Sequence, residues 1–365
     1  MANTCSASLF PILPPQPTGI ARLAAEAEHA DDGHLIEFKA LKVRSILNKS
    51  VSKRQLWMTY SINPYRGCEF ACRYCYARYT HEFMAPKEPL NTNDNPAEAR
   101  RPGIDLRDPE AFERLIFLKQ NAAWLLEQEL RRIDPAQEIA LGTATDPYQP
   151  IERRARITRS LLEVFARRSG YRLGIVTKSR LIERDIDLLT EIGRRNRLVV
   201  HITITTPDAD LARLLEPRAP RPDLRFQAVR RLREAGITTG ILCSPLLPGI
   251  TDSEEALDAM ASRAAAVGAS FFSASPLFLK PCSRPTYLSF VREHFPSLQA
   301  DYAKRFDHAD FAAAPYRRQM AEIVERVRHK YNLGQRSKDA SLPRTGNDER
   351  KPPANTGTAQ QKLFA

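Results

Sequence analysis

Cysteine is scarce in this chain, with six in 365 residues, and half of them fall within eight positions. That scarcity excludes a small scaffold stapled by disulfides and points instead to metal binding in a reducing compartment. Long apolar runs are lacking as well: none approaches the roughly 20 residues that span a bilayer. The opening stretch, MANTCSASLFPILPPQP, has no basic start followed by a long apolar segment, so the sequence reads as soluble and cytoplasmic, with no membrane partner. Acidic residues are outnumbered, 43 against 55 Lys and Arg, for a formal charge of +12. Such a balance favours a polyanion such as nucleic acid as partner, the other reading being a solvated arginine-rich surface. Neither an internal sequence repeat nor a nucleic-acid-binding fold signature is present.

What is present is a rhythm. Apolar, β-branched runs recur at EIALGTAT (from 138), YRLGIVTKS (171), LVVHITITT (198), GITTGILCS (236) and ASFFSASPL (269). Near-continuous apolar character over so few residues suits strands covered on both faces. Helical patterns lie between them. TRSLLEVFARRS places Leu161, Leu162, Val164 and Phe165 at helical spacing, and IERDIDLLTEIGRR does so with Ile186, Leu189 and Ile192. SEEALDAMASRAAAVG opens on Ser253 and closes on Gly268, a helix start and stop. Repeated βα units predict a parallel sheet curled into a full or partial barrel. QLWMTYSIN, 55–63, supplies the first strand. The expected organisation is a tail over 1–33, the barrel with an N-terminal extension over 34–280, a helical C-terminal region over 281–335 and a polar tail over 336–365, both tails being disordered.

The cysteine-rich stretch is NPYRGCEFACRYCYARYT, 63–80, in the loop leaving that first strand, where a barrel binds its ligands. Cys68, Cys72 and Cys75 on one tight loop can converge on a single centre. A structural zinc would need a fourth ligand, for which His81 is the nearest candidate. A four-iron cluster is held by three cysteines, which leaves one iron open.

Here the sequence resembles the radical S-adenosylmethionine (radical SAM) superfamily, whose C-x3-C-x-aromatic-C signature is met by Cys68, Cys72, Tyr74 and Cys75. NPYRGCEFACRYCYAR and LGTATDPYQPIE are similar to the branch containing spore photoproduct lyase and its DNA repair photolyase-like relatives, over roughly residues 34–335. The resemblance implies an enzyme on a partial TIM-type (β/α)6 barrel with a helical C-terminal cap. It implies a [4Fe-4S] cluster, S-adenosyl-L-methionine bound to the open iron, and an electron donor such as flavodoxin or ferredoxin. Reductive cleavage of the cofactor then yields a 5'-deoxyadenosyl radical that abstracts hydrogen from substrate.

By the same resemblance Tyr74 packs beside the adenine. The superfamily's usual Gly-Gly-Glu is missing after the second core strand, where Thr143, Thr145 and Asp146 are the polar groups available for the cofactor's ammonium. Asp146 before Pro147 reads equally as a turn starter. Thr177, Lys178 and Ser179 end one strand and Thr205 and Thr206 the next, so Lys178, Ser179 and Thr205 become candidates for the ribose and carboxylate. His201, within VVHITI, reads as a core histidine. Spore photoproduct lyase uses a further cysteine as hydrogen donor some tens of residues after the cluster loop, yet none occurs here between Cys75 and Cys243. Cys243 would serve only if it faced the barrel mouth; otherwise it is a small buried hydrophobe. Cys282 and Cys5 have weaker claims.

The substrate expected is nucleic-acid-related. The alternatives are radical modification of a protein or small molecule, or a non-catalytic, zinc-stabilised nucleic-acid-binding module. Arginines crowd 153–159 and 213–233, with Arg317 and Arg318 later; on one rim they would form a phosphate track, and spread over helices a solvated face.

Overall fold

The apolar runs become strands because each is buried on both sides. The computed structural model describes residues 36–50, 58–82, 84, 105–307 and 309–335; both expected tails and residues 55–57 of the expected first strand lie outside the described residues. Ten strands are described: β1 (Glu37–Ala40), β2 (Leu47–Lys49), β3 (Tyr60–Ile62), β4 (Tyr65–Arg66), β5 (Leu115–Leu118), β6 (Glu138–Leu141), β7 (Arg172–Thr177), β8 (Arg197–Thr203), β9 (Thr239–Leu246) and β10 (Phe272–Pro276). Seven form one sheet in the order β10-β9-β8-β7-β6-β3-β2. From β3 to β10 every neighbouring pair is parallel, and β2 closes the edge antiparallel to β3. Six parallel strands with intervening helices make a partial (β/α)6 barrel.

Side-chain alternation divides each strand between two environments. Leu173 and Ile175 of β7, Val200 and Ile202 of β8, Ile241 and Cys243 of β9, and Phe272 and Ala274 of β10 pack into one core. The helices contribute Leu161, Leu162 and Phe165 (Ile157–Ala166), Leu189 and Ile192 (Ile186–Arg195), Phe226, Val229 and Leu232 (Pro222–Glu234), and Leu257 and Met260 (Glu254–Ala266). Ser253 caps the last of these, its Oγ accepting from Ala256 N at 3.1 Å. The opposite parity faces the barrel interior. There His201 is buried against Phe271, ring centroids 5.0 Å apart. Gly240 makes room for Phe271, whose ring atoms would lie 2.4 Å from any Cβ at that position.

A second, three-stranded sheet, β1-β5-β4, has no counterpart in the sequence reading. β5 pairs parallel to β1 and antiparallel to β4, so the two residues just before the cysteine loop are pinned to a strand some fifty positions away. The C-terminal helices Arg284–His294, Gln299–Phe306 and Ala314–Lys330 follow β10. Tyr287, Phe290, Val291, Tyr302 and Phe306 of the first two share a buried cluster with Cys68, Phe70, Cys72 and Tyr74. The third places Met320, Ile323, Val324 and Val327 in the main core.

Candidate active site

The cysteine loop is built by backbone tethers. Gly67 has φ +82°, and a Cβ there would lie 2.7 Å from Leu115 O and 2.8 Å from Phe112 O, so only glycine lets the chain pass. Beyond it Cys68 N donates to Phe112 O (2.9 Å), Arg73 N to Leu215 O (2.9 Å) and Cys75 N to Cys72 O (3.1 Å). Gln149 accepts from Glu69 N (2.9 Å) and donates to Gly67 O (3.2 Å), while Glu69 Oε1 accepts from Ile151 N (2.7 Å). Ser283 Oγ donates to Cys75 O at 2.7 Å. Beneath the loop lies the buried ion pair Arg78–Glu113 (2.6 Å), whose guanidinium also donates to Cys72 O (3.2 Å) and Pro109 O (2.6 Å).

Cys68, Cys72 and Cys75 are free thiols near enough to disfavour one another's ionisation. Burial pushes Cys72 up to about 12, with Lys178 opposing it. Burial also raises Cys68 and Cys75, against which the N–H groups of Asp146 and Ala77 favour the charged sulfurs. A bound metal centre inverts this preference, since a coordinating thiol is deprotonated. His81, the candidate fourth zinc ligand, is engaged on the small sheet: its Nε2 is 2.9 Å from Leu115 O and its ring packs on Phe112 and Phe117. Among the described residues no group of three His, Cys, Asp or Glu side chains is placed to hold a single ion. Three cysteines on one loop, with backbone N–H groups favouring the charged sulfurs, form a donor set that fits an iron-sulfur cluster with one open iron.

The other residues singled out in the sequence fall around this loop, with different degrees of engagement. Asn63 clamps the 143–145 segment, accepting from Ala144 N (2.8 Å) and Thr145 N (3.3 Å) and donating to Thr143 Oγ1 (3.4 Å). Thr145 Oγ1 is spent on Tyr65 O (3.4 Å), and Thr143 O accepts from the Tyr76 hydroxyl. Asp146 accepts from Thr177 Oγ1 (2.6 Å), Lys178 N (2.7 Å) and Tyr148 N (2.9 Å); burial pushes its carboxyl up and these bonds pull back. It therefore joins two strand-end loops beside Cys68 and is more than a turn starter. Ser179 Oγ accepts from Leu181 N (3.2 Å), a cap of the following turn.

Tyr74 is buried, with Lys178 Nζ 5.7 Å from its ring centroid. Its hydroxyl pairs with Thr205 Oγ1 at 2.9 Å and donates to Glu216. Glu216 is ion-paired with Arg225, and both side chains are about 1% exposed. Burial alone would raise Glu216, but Arg225 and Lys178 outweigh it and hold the carboxyl below its ordinary range. Burial likewise works against the Lys178 ammonium, yet Cys72 and Glu216 lift it above its usual value. The sequence reading missed Asn63, Glu216 and Arg225. Arg225 sits in a tract read as a phosphate track or solvated face and is instead an interior counterion; the only available signal was a lone Glu among arginines at 213–225.

Cys243 does not reach the mouth. It shares the helix-facing side of β9 with Ile241, donates to Thr205 O at 3.6 Å, and burial pushes it up to about 12. Strand alternation is the reason: Leu242 and Ser244 take the other face. Cys282, with the weaker claim, lies half-buried next to Ser283 and close enough to Cys75 and Tyr79 to influence them electrostatically.

The radical SAM superfamily profile matches residues 62–261, more than half of the chain, from the last residue of β3 into the helix Glu254–Ala266. The chain belongs to the radical SAM superfamily. It is therefore an enzyme, and the family implies a [4Fe-4S] cluster and S-adenosylmethionine. Uncharacterized proteins of Mycobacterium tuberculosis and Mycobacterium bovis are 33% identical to this radical SAM enzyme over 299 residues, 82% of each chain. One from Methanocaldococcus jannaschii is 28% identical over 195 residues, 53% of this chain and 63% of that protein. Among solved structures, a spore photoproduct lyase mutant with bound AdoMet and dinucleoside spore photoproduct superposes with a TM-score of 0.55 at 14% identity, covering 87% of this chain and 84% of that one. Another mutant of the lyase gives 0.54 at 16% identity, covering 80% and 79%. At these identities the likeness establishes the fold. No helix among the described residues is long and apolar enough to cross a membrane.

Proposed function

We propose that Cys68, Cys72 and Cys75 would hold a [4Fe-4S] cluster that binds S-adenosylmethionine, and that the enzyme abstracts hydrogen from a nucleic-acid-related substrate. The observation that carries this reading is the loop itself: three free thiols, Cys68 and Cys72 buried and Cys75 partly so, on a segment that leaves the C-terminal end of β3 and is tethered at Cys68, Arg73 and Cys75. When bound, the pair supplies an electron from cluster to sulfonium and hence a 5'-deoxyadenosyl radical. The chain's own residues bind and orient. Lys178, held cationic against Glu216 and Cys72, would receive the cofactor's carboxylate, and Asp146 would accept a hydrogen bond from the cofactor's amino group. Thr143 and Thr205 line the way to the ribose, with Ser179 and Thr145 supporting them through their backbone-directed bonds. Tyr74, fixed at its hydroxyl, presents its ring to the adenine. The electron comes from a low-potential donor such as flavodoxin or ferredoxin in a reducing, cytoplasmic setting.

Two facts support the substrate class. The chain carries a net +12, and a fold relative was solved with a dinucleoside spore photoproduct bound to it. Among the described residues Cys243 sits behind its strand, so the lyase's own reaction would need a different hydrogen donor. Anaerobic reconstitution of the full chain should give brown protein with about four irons and sulfides per chain. Cys72→Ala should remove the colour and the reductive cleavage of S-adenosylmethionine together. Colourless wild-type protein holding one zinc, or a Cys72→Ala variant that keeps both properties, refutes the assignment.

A further inference from the structure

Residues 277–280, which leave the C-terminal end of β10, alternate sharply: Leu277 and Leu279 are buried, while Phe278 and Lys280 are half-exposed on the other side. A second segment does the same, with Ala312 buried and Phe311 half-exposed. The two are joined by an antiparallel bridge between Phe278 and Phe311 and by Leu279 N donating to Asp310 O at 2.9 Å. Their rings stack with centroids 4.5 Å apart and planes 22° from parallel. Cations flank the stack. Lys280 Nζ is 5.5 Å from the Phe278 ring and 5.1 Å from that of Tyr79, and the Arg317 guanidinium is 5.8 Å from Phe311. Asp310, the nearest acid on these segments, is engaged by Arg284 at 3.3 Å. The stack adjoins the cysteine loop: Phe278 lies 5.9 Å from Tyr76, the residue after Cys75, and Ser283 Oγ holds Cys75 O.

Resting on the proposed nucleic-acid-related substrate, we propose that Phe278 and Phe311, with Tyr79, Lys280 and Arg317, form a platform on which unpaired bases of a single-stranded nucleic acid stack as the strand approaches the radical site. Aromatic faces accept any base, and the adjacent cations neutralise phosphates. Rigidity comes from the backbone bridge, so the rings need little ordering on binding. A base inside a duplex has both faces covered by its stacked neighbours, hence the platform selects single-stranded or locally opened substrate over intact duplex.

The test is equilibrium binding of a short labelled oligothymidylate to the full, reconstituted chain over a salt series, with the matching duplex and with heparin as a polyanion that has no bases. Wild-type protein should bind the single strand in preference to the duplex. Phe311→Ala should weaken oligothymidylate binding about tenfold while leaving heparin affinity unchanged. Lys280→Gln and Arg317→Gln, which leave the ring pair intact, should each lower the salt slope by about 1. Wild-type binding that is undiminished in all three variants overturns the platform and leaves the enzyme assignment standing. Equal affinity for duplex, or an equal loss of heparin binding in Phe311→Ala, overturns stacking as the mode. No salt-dependent oligonucleotide binding by wild-type protein that still cleaves S-adenosylmethionine overturns the platform and the nucleic-acid substrate together, and not the radical chemistry.

Discussion

The ion pair Arg78–Glu113 gives the most direct check on how the cysteine loop is held. Arg78 lies three residues past Cys75, and its side chain has no exposure, against 4% for Glu113. Replacing Arg78 by Met removes the 2.6 Å contact to Glu113 and two donors, to Cys72 O and Pro109 O, and strands a carboxylate where water cannot reach it. Breaking a buried pair from one side costs about 3–5 kcal/mol. That is a large share of the roughly 5–15 kcal/mol by which a domain is stable. Removing both charges, as in Arg78→Met with Glu113→Leu, avoids the stranded carboxylate and leaves two carbonyls short of a donor, at about 1 kcal/mol each. The double variant should therefore be more stable than the single one.

Urea unfolding of the metal-free protein under reducing conditions measures this. With a slope of about 3 kcal/mol/M, Arg78→Met should lower the midpoint by about 1–1.7 M. The double variant should recover about a third to three fifths of that fall. Iron retained after reconstitution should fall in both variants, because both lose the guanidinium that ties Cys72 O to the turn after Cys75. A midpoint shift below about 0.3 M, or a double variant no better than the single, would refute the view that this pair anchors the loop.

Two further outcomes can be checked independently. Lys119 is buried, donates to Asn63 O at 2.6 Å, and is pulled by burial and then by Arg66 from an ordinary 10.5 down to about 8. Between those values the unfolded chain keeps the proton that the folded chain has lost, so this lysine's contribution to stability rises with pH from about 8 to 10.5. Lys119→Met should lose that rise, the wild type gaining roughly 2 kcal/mol relative to the variant between the two ends; parallel stability profiles for the two proteins would count against a depressed value. Cys243→Ala should retain its iron and release 5'-deoxyadenosine at the wild-type rate, since the thiol lies on the helix side of β9. Loss of the cluster in that variant would show that the strand's parity had been misassigned.

The βα rhythm was legible because a doubly covered strand must be apolar throughout and its flanking helix must be apolar at helical spacing. Hence β6 to β10 and the helices Ile157–Ala166, Ile186–Arg195 and Glu254–Ala266 fall where the runs predicted, and β3 lies within the expected 55–63 stretch. The small sheet was not legible. Its strands are two to four residues long, and β4 and β5 acquire meaning only when paired with each other. Cys243 illustrates a different limit: in TGILCSPL both faces are buried enough that the sequence carries no parity signal. Glu216 and Arg225 looked like part of a charged surface because their partner Tyr74 lies more than 140 positions away.

What the sequence determined by itself is the kind of chemistry: the spacing of Cys68, Cys72 and Cys75 is local, and local spacing survives any fold that keeps the three on one loop. What only the tertiary structure decided is which other groups stand beside them. Asn63, Lys178, Glu216 and the Phe278–Phe311 stack are brought to the loop by strand register and by burial, and both depend on contacts between segments distant in the chain, which no local pattern encodes.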